Sequence, residues 1–274
     1  MAIVNRQPGF APPMAAAASG SRQRPGQIVL AFMLRDMRTR FGRSYISYLV
    51  SIGWPLVHLL IMYGAYVLTH KIAPIGDDPS IFAFTGLAPY VLCLYPARFI
   101  AFAIVQNKPL LLFPIVSPLQ LIFARVLLES LSAIAVFLLF FAGLVAFGAA
   151  ETPPDPYFSA LVVAATLYFS LGLGVFGVIL CSFHVMGGIL SVVFFVVGLY
   201  LTSGAIMPLT LASQTIRNAL WYNPLYQAVA LLRSAYYGGL GADAYSLSYI
   251  VLAGSAFLLL GLAGERLVRG RFLV

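Results

Sequence analysis

Long apolar stretches separated by short polar connections dominate this chain, and each stretch is long enough to cross a membrane as a helix. A spanning α-helix needs about 20 apolar residues to match the hydrocarbon thickness of a bilayer. Six stretches come close to that length: residues 46–69, 80–105, 119–148, 157–182, 189–207 and 246–263. The pattern predicts an all-α integral membrane protein with six transmembrane helices.

A short amphipathic segment, residues 27–44, precedes the first stretch. At helical pitch its charged residues share one face and its apolar residues the other. The apolar residues are Leu30, Met33, Leu34, Met37 and Phe41. Such a helix lies along the membrane interface rather than across it, and its arginines hold this end in the cytoplasm. The segment is therefore either a topology anchor or a docking surface, and its residues leave both open.

Composition agrees with a membrane protein and explains the excess of basic residues. The 274 residues are 61% hydrophobic and only 9% charged, with a mean hydropathy of +0.96, which excludes a soluble domain. The net charge of +8 gathers in segments that the positive-inside rule assigns to the cytoplasm. It therefore indicates orientation and contact with anionic headgroups, not a nucleic-acid partner. Residues 1–26, rich in Ala, Pro, Gly, Ser and Arg, are expected to form a disordered cytoplasmic tail.

Three charged residues lie inside the predicted spans near one end. Arg125 and Glu129 are four residues apart on one face of the third span, and Arg98 lies near the same end of the second. A charge at the centre of a span costs about 2.5–3.5 kcal/mol, so each of these residues needs a partner. The three are expected to meet, either as a structural ion-pair cluster or as a gating latch. A proton site of a carrier, centred on Glu129, is a third alternative.

Residues 208–245 are too polar and too broken for one span, yet too apolar for an ordinary loop. Asn223-Pro224 divides them into two short helical stretches. In a helix that begins at Pro224, the side chains of Tyr226, Arg233 and Tyr237 share one face, which suits contact with an acidic sugar chain. The alternative is an aromatic belt at the outer headgroup level. A break at membrane depth is tolerated only inside protein or beside a wet cavity, which favours a position beside a pore.

Motifs for catalysis, metal binding and ATP binding are absent from the sequence. Neither lysine follows a glycine, so there is no phosphate-binding loop of the G-x-x-x-x-G-K-[ST] type. The three histidines lie on different segments, and Cys93 and Cys181 form no spaced motif. We therefore predict no catalytic residue, no metal site and no cofactor in this chain. If ATP drives the protein, another chain must bind the ATP and Mg²⁺.

Three runs of sequence resemble ABC-2-type permeases that export capsular polysaccharide. They are LRDMRTRFGRSYISYLVSIGWPLVHLLI at residues 34–61, SPLQLIFARVLLESL at 117–131, and SGAIMPLTLASQTIRNALWYNPLYQAVALLRSAYY at 203–237. The resemblance covers nearly everything after residue 26, so residues 27–274 are expected to form one ABC-2 transmembrane domain. It implies a homodimer in the bacterial inner membrane, with both termini cytoplasmic, engaged by two copies of a separate ATPase subunit. The cargo would be a lipid-linked anionic polysaccharide, passed on to periplasmic and outer-membrane export proteins.

The resemblance also implies roles for particular residues. Residues 27–44 match the family's interface helix, which seats on the ATPase, and residues 108–118 match its coupling connection. The coupling residues would be Arg35, Asp36, Arg38, Arg40, Phe41, Lys108 and Pro109. Residues 208–245 match the re-entrant segment between the fifth and sixth helices, at the outer end of the pore. The residues along the substrate path would be Tyr222, Tyr226, Arg233 and Tyr237.

Three other functions remain open from the sequence. The first is an ABC-2 exporter of O-antigen, teichoic acid or lipid, in which the tyrosines would be dispensable. The second is an ion-coupled secondary carrier, which would work without an ATPase and would depend on Glu129. The third is a membrane enzyme that acts on a lipid-linked sugar and would turn over as the purified protein alone.

Overall fold

The structure is a computed structural model that describes residues 25–39, 46–69, 73–76, 78–206, 213–239 and 244–272. Within these ranges every helix and turn belongs to a helical bundle, and no strand is present. The helices are α1 (Pro25–Thr39), α2 (Ile46–Thr69), α3 (Pro79–Ala101), α4 (Ala103–Asn107), α5 (Pro118–Ala146), α6 (Pro156–Phe183), α7 (Val185–Leu201), α8 (Gln214–Leu220), α9 (Pro224–Tyr236) and α10 (Leu247–Val268). Two 3₁₀ helices, Lys108–Leu112 and Arg269–Phe272, follow α4 and α10.

Five of the described helices are long and apolar enough to cross a membrane. The qualifying segments are Ile52–Thr69, Pro79–Ala101, Pro118–Ala146, Pro156–Phe183 and Leu247–Phe272. The fifth predicted span corresponds to α7, which has 17 residues and is therefore shorter than the other five. The prediction of an all-helical membrane protein is confirmed, with five spanning helices by length and composition.

The boundaries of α7 differ from the prediction because of local chain chemistry. His184 caps its N-terminus, since its Nδ1 accepts a hydrogen bond of 2.9 Å from the backbone N–H of Gly187. The helix ends at Leu201, and Gly204 adopts a φ of +70°, a conformation that glycine accepts without strain. The helix therefore begins four residues before the predicted start at residue 189 and ends six residues before the predicted end at residue 207.

The core of the bundle lies around α3 and α6. In the membrane-spanning segment of α3, 89% of the residues are buried, compared with 11% in that of α2 and 17% in that of α10. The closest contact joins α6 to α10, where a Cβ placed on Gly172 would collide with the carbonyl of Gly254. Glycine permits this close approach, because any larger side chain at residue 172 would meet the backbone of α10.

The two ends of the described chain pack at the same end of the bundle, which we call the α1 end. One apolar cluster there joins Phe32 of α1, Leu111 of the first 3₁₀ helix and Ile122 of α5. The same cluster contains Val268 and Phe272, which lie at the C-terminal end of the described residues. The opposite end, which we call the far end, carries α8 and α9.

Candidate functional site

The side chain of Arg125 lies at the centre of a polar cluster at the α1 end. It is only 1% exposed, and it uses all three of its guanidinium nitrogens. Nη1 donates to Oδ2 of Asp36 at 2.7 Å, and Nη2 donates to Oε1 of Gln106 at 2.6 Å. Nε donates to the backbone carbonyl of Phe99 at 3.2 Å and lies 3.2 Å from Oε1 of Glu129. One buried cation thus connects α1, α3, α4 and α5.

The opposite charges in this cluster are paired, and the pairing allows them to be buried. Asp36 and Glu129 are both buried, so two carboxylates share one guanidinium. A buried charge is costly unless it is paired and hydrogen-bonded, and here every group is paired. A second polar contact links α1 to α4: Nη1 of Arg35 donates to Oδ1 of Asn107 at 3.3 Å. As a result, α1 is held to α5 and to α4 by separate polar contacts.

The sequence predicted part of this cluster and missed the rest. The pairing of Arg125 with Glu129 is confirmed. Arg98 lies outside the cluster: its side chain is exposed, and its Cζ lies 5.8 Å from the centre of the Phe99 ring. The position expected for Arg98 is taken by the carbonyl of Phe99 and by Asp36. One signal was available, since Asp36 is the single acidic residue among the first 76.

The connection between α4 and α5 carries an exposed apolar surface at the α1 end. Leu112 is 78% exposed, and Phe113 and Ile115 are also exposed, beside the exposed Lys108 and Pro109. We call Leu112, Phe113 and Ile115 the apolar ridge. Neighbouring Leu111 is buried in the cluster shared with α1, so the ridge rests on a packed base. Large apolar side chains gathered on an exposed connection mark an interaction surface. The sequence predicts a coupling role for the whole connection, residues 108–118, but singles out only Lys108 and Pro109 within it.

Several predicted coupling residues fall at the edge of the described chain. The side chain of Arg38 lies outside the described residues, and so do Arg40 and Phe41 altogether. Arg35 is half-buried and Asp36 is buried. The charged face of α1 is therefore divided, because part of it holds the helix to the bundle.

The break between α8 and α9 is held by side chains that satisfy backbone groups. Oδ1 of Asn223 accepts from the N–H groups of Leu225 and Tyr226 at 2.8 and 3.2 Å, and its Nδ2 donates to the carbonyl of Leu199 at 2.7 Å. Gln227 donates to the carbonyl of Trp221 at 2.7 Å and accepts from the N–H of Ser246 at 2.8 Å. The predicted division at Asn223-Pro224 is confirmed, and polar side chains take the place that water would fill elsewhere.

Arg233 is buried at the far end and holds the chain that follows α7. Its two terminal nitrogens donate to the carbonyls of Gly204 and Ala205 at 2.6 and 2.8 Å. Its Cζ lies 3.8 Å from the centre of the Phe82 ring, close enough for a cation–π interaction. The side chain therefore fastens α9 to α7 and α3, and it is not open to a substrate in this conformation.

The predicted substrate-path tyrosines are separated by the packing of α9 against α3, α6, α7 and α10. Tyr226 is buried, and its hydroxyl lies 2.9 Å from that of Tyr245. Tyr237 is half-buried with its ring against Gly76. Tyr222 is 69% exposed, so it is the member of this group that remains accessible.

The described residues hold no group of three or more His, Cys, Asp or Glu side chains with the geometry to bind a metal ion. A bundle with several helices long and apolar enough to span a membrane, a buried polar cluster at one end and an exposed ridge beside it is a multi-pass membrane protein. That is the class the geometry defines.

Comparison with known proteins identifies the family. No family model matches the chain. The polysialic acid transport protein KpsM of Escherichia coli is 32% identical over 239 residues, which cover 86% of this chain and 91% of KpsM. The capsule polysaccharide export inner-membrane protein BexB of Haemophilus influenzae is 29% identical over 244 residues, covering 86% and 89% of the two chains. The corresponding protein CtrC of Neisseria meningitidis serogroup B is 26% identical over 245 residues, again covering 86% and 89%.

The chain belongs to the family of capsule polysaccharide export inner-membrane proteins, which are ABC-2-type permeases. It is accordingly a multi-pass protein of the inner membrane. The resemblance drawn from the three sequence runs is confirmed.

Proposed function

We propose that this chain is the membrane subunit of an ATP-driven exporter that moves a lipid-linked anionic capsular polysaccharide across the inner membrane. The observation that carries the proposal is the match over 86% of the chain to proteins named for capsule polysaccharide export in two organisms and for polysialic acid transport in a third. The span pattern supports it, because the match and the spanning helices cover largely the same length of chain.

A separate ATPase subunit supplies the energy and holds the ATP and Mg²⁺. The surfaces suited to receive it are the part of α1 that carries Arg35 and the connection that carries Lys108, Pro109 and the apolar ridge. Asp36 and Gln106 both bind Arg125, so the two surfaces are joined through one side chain. A displacement of either surface by the ATPase would reach α5 through the same guanidinium.

Six crossings with both termini in the cytoplasm agree best with the packing at the α1 end. Phe32 near the start and Phe272 near the end of the described chain contribute to one cluster, so the number of crossings between them is even. Five long helices supply five crossings, and α7 supplies the sixth. Its 17 residues extend about 25 Å at about 1.5 Å per residue, close to the hydrocarbon thickness. The pair α8 and α9 then forms a re-entrant segment on the periplasmic side.

Two copies of the subunit form the pore, and periplasmic and outer-membrane proteins receive the polysaccharide. An ion-coupled carrier is disfavoured because Glu129, its proton site, is buried in an ion pair with Arg125. An exporter of O-antigen, teichoic acid or lipid is the alternative within the same class, and the names of the relatives favour capsule.

Deletion and complementation test the proposal directly. Deleting the gene should abolish surface capsule and leave lipid-linked polysaccharide inside the cell, and the intact chain should restore export. Purification of the complemented protein should recover an ATPase subunit in a ratio of two to two. Normal capsule in the deletion strain would refute the capsule assignment, and transport by the purified chain alone would refute the need for an ATPase.

A further inference from the structure

A groove halfway along α2 combines a large aromatic face with polar groups. It is lined by Trp54, Val57, His58, Ile61 and Tyr95, and its volume is about 250 Å³. Trp54 is 67% exposed at the mouth of the groove. His58 lies twelve residues after the first residue of α2, which is about 18 Å along the axis and near the middle of the helix. Within Ile52–Thr69, the part of α2 that is long and apolar enough to span a membrane, His58 lies near the middle and Trp54 near the start.

The chemistry of this groove does not suit contact with lipid. Nδ1 of His58 lies 3.0 Å from the hydroxyl of Tyr95, so a polar pair stands at mid-depth on an otherwise apolar helix. Ionisable residues inside spans face the interior of a bundle or a water-filled cavity, because lipid offers them no partner. The His58–Tyr95 pair therefore favours a position for this face of α2 beside water or another protein surface over a position in lipid.

Aromatic rings continue from the groove toward the far end of the bundle. The ring of Tyr90 meets His58 edge-on at 6.2 Å and stacks on Tyr200 at 4.1 Å. Tyr200 lies at the end of α7, near the segment that Arg233 fastens. Tyr90 and Tyr200 are each only 6% exposed, so they support the wall behind the groove and do not themselves face a polymer.

The groups in the groove match the two sides of a sugar ring. A pyranose has one apolar face of C–H groups and an edge of hydroxyls. The indole of Trp54 offers a flat apolar surface, while His58 and Tyr95 offer hydrogen-bonding atoms close beside it. None of the five lining residues carries a fixed charge, so the groove suits the sugar ring and not the acidic groups of the polymer.

We propose that Trp54, His58 and Tyr95 form a contact site for one sugar ring of the polysaccharide during its passage. The proposal rests on the proposed function and adds to it the place and the chemistry of a contact. A single stacked ring with two hydrogen-bonding groups binds weakly, which lets a long polymer move on.

Cysteine labelling tests whether the groove is wet. The two native cysteines, Cys93 and Cys181, are buried and give little background. Val57→Cys and Ile61→Cys place a thiol at the groove, and Leu259→Cys on α10, which is 67% exposed, serves as the lipid-facing control. A hydrophilic maleimide reacts with thiolates, which form in water and not in lipid. In vesicles holding the complete transporter, both groove variants should label several-fold faster than the control.

Two labelling results would overturn the proposal. Groove thiols that label no faster than Leu259→Cys would show that lipid fills the groove. Oxidative cross-linking between two copies of Ile61→Cys without maleimide labelling would show that a second copy of the chain fills it.

Export measurements separate this proposal from the proposed function. Trp54→Ala should lower surface polysaccharide about tenfold, equivalent to about 1.4 kcal/mol lost at the barrier, while Trp54→Phe should retain most of it. Recovery of the ATPase subunit should be unchanged in both variants, since Trp54 lies away from the α1 end. Full export with Trp54→Ala refutes the sugar contact and leaves the exporter assignment intact. Absence of an ATPase from the unmodified complex would instead refute the proposed function.

Discussion

Replacing Arg125 with methionine isolates the contribution of the buried polar cluster. Methionine keeps most of the volume of the arginine side chain but removes the charge and all three donor nitrogens. The change removes the guanidinium that pairs with the buried carboxylates of both Asp36 and Glu129, and it leaves Oε1 of Gln106 without its donor. The matched control is Arg98→Met, because Arg98 is an exposed arginine at the same end of the bundle.

The size of the effect follows from the contacts that are lost. Removing one partner of a buried ion pair costs about 3–5 kcal/mol, since the remaining charge stays buried. By contrast, Glu129→Gln leaves the guanidinium paired with Asp36 at 2.7 Å, so the loss should be near that of one hydrogen bond, about 1 kcal/mol. At about 2–4 °C per kcal/mol, Arg125→Met should lower the melting midpoint by about 6–20 °C and Glu129→Gln by about 2–4 °C. Arg98→Met should change it by no more than about 1–2 °C.

The assay is the midpoint of thermal loss of the monodisperse protein in detergent, measured at one scan rate for all variants. A triple variant, Arg125→Met with Asp36→Asn and Glu129→Gln, removes the orphaned charges and should recover part of the loss. Equal midpoints for Arg125→Met and Glu129→Gln would refute the reasoning, because they would mean that water already screens the cluster. A triple variant no more stable than Arg125→Met would show that the loss does not come from unpaired carboxylates.

Three further predictions follow from single contacts. Leu112→Glu should reduce recovery of the ATPase subunit in pull-downs while thermal stability stays unchanged. The control is Phe147→Glu, because Phe147 is almost fully exposed at the end of α5 that lies away from α1, and it should not reduce recovery. Equal recovery with both variants would exclude the apolar ridge as the docking site of the ATPase. Gly172→Val should prevent stable packing of α6 on α10, which would appear as loss of the monodisperse peak in size-exclusion chromatography. The control Gly198→Val should be tolerated, because an added side chain there meets nothing within 4 Å. A stable Gly172→Val protein would mean that the two helices can separate at no cost. Arg233→Gln should lower the melting midpoint, because two buried carbonyls lose their charged donor. The control Tyr222→Ala should leave the midpoint unchanged, because Tyr222 is exposed. An unaltered midpoint for Arg233→Gln would contradict the role of Arg233 in holding α9 to the chain after α7.

The spans and the family could be predicted from sequence because both depend on local pattern. Apolar length determines which segments can cross a bilayer, and residues four apart on a helix meet, as Arg125 and Glu129 do. The pairing of Asp36 with Arg125 joins residues that are 89 positions apart, and no periodicity connects them. The prediction that Arg98 joins the cluster rests only on its position near the same end of its span. That position does not determine toward which side of the helix the side chain points, and the side chain is exposed.

The far end shows the same limit in another form. The sequence correctly indicated that Tyr226 and Arg233 lie on one face of a helix that begins at Pro224. Which partner that face meets depends on how α9 is seated among four other helices, and this is a tertiary property. The face turned inward, so the guanidinium that was expected to grip a glycan instead binds the carbonyls after α7. The apolar ridge lies within the predicted coupling connection, but exposure of Leu112, Phe113 and Ile115 depends on tertiary packing and cannot be read from an apolar sequence.

The cluster that joins Phe32, Leu111 and Phe272 also orders events during biosynthesis. The base on which α1 and the ridge rest is incomplete until residues 268–272 have been synthesised and have packed at the α1 end. A truncated subunit therefore lacks part of the support for both surfaces. If an ATPase docks there, as proposed above, the subunit can receive it only once its last helix is in place.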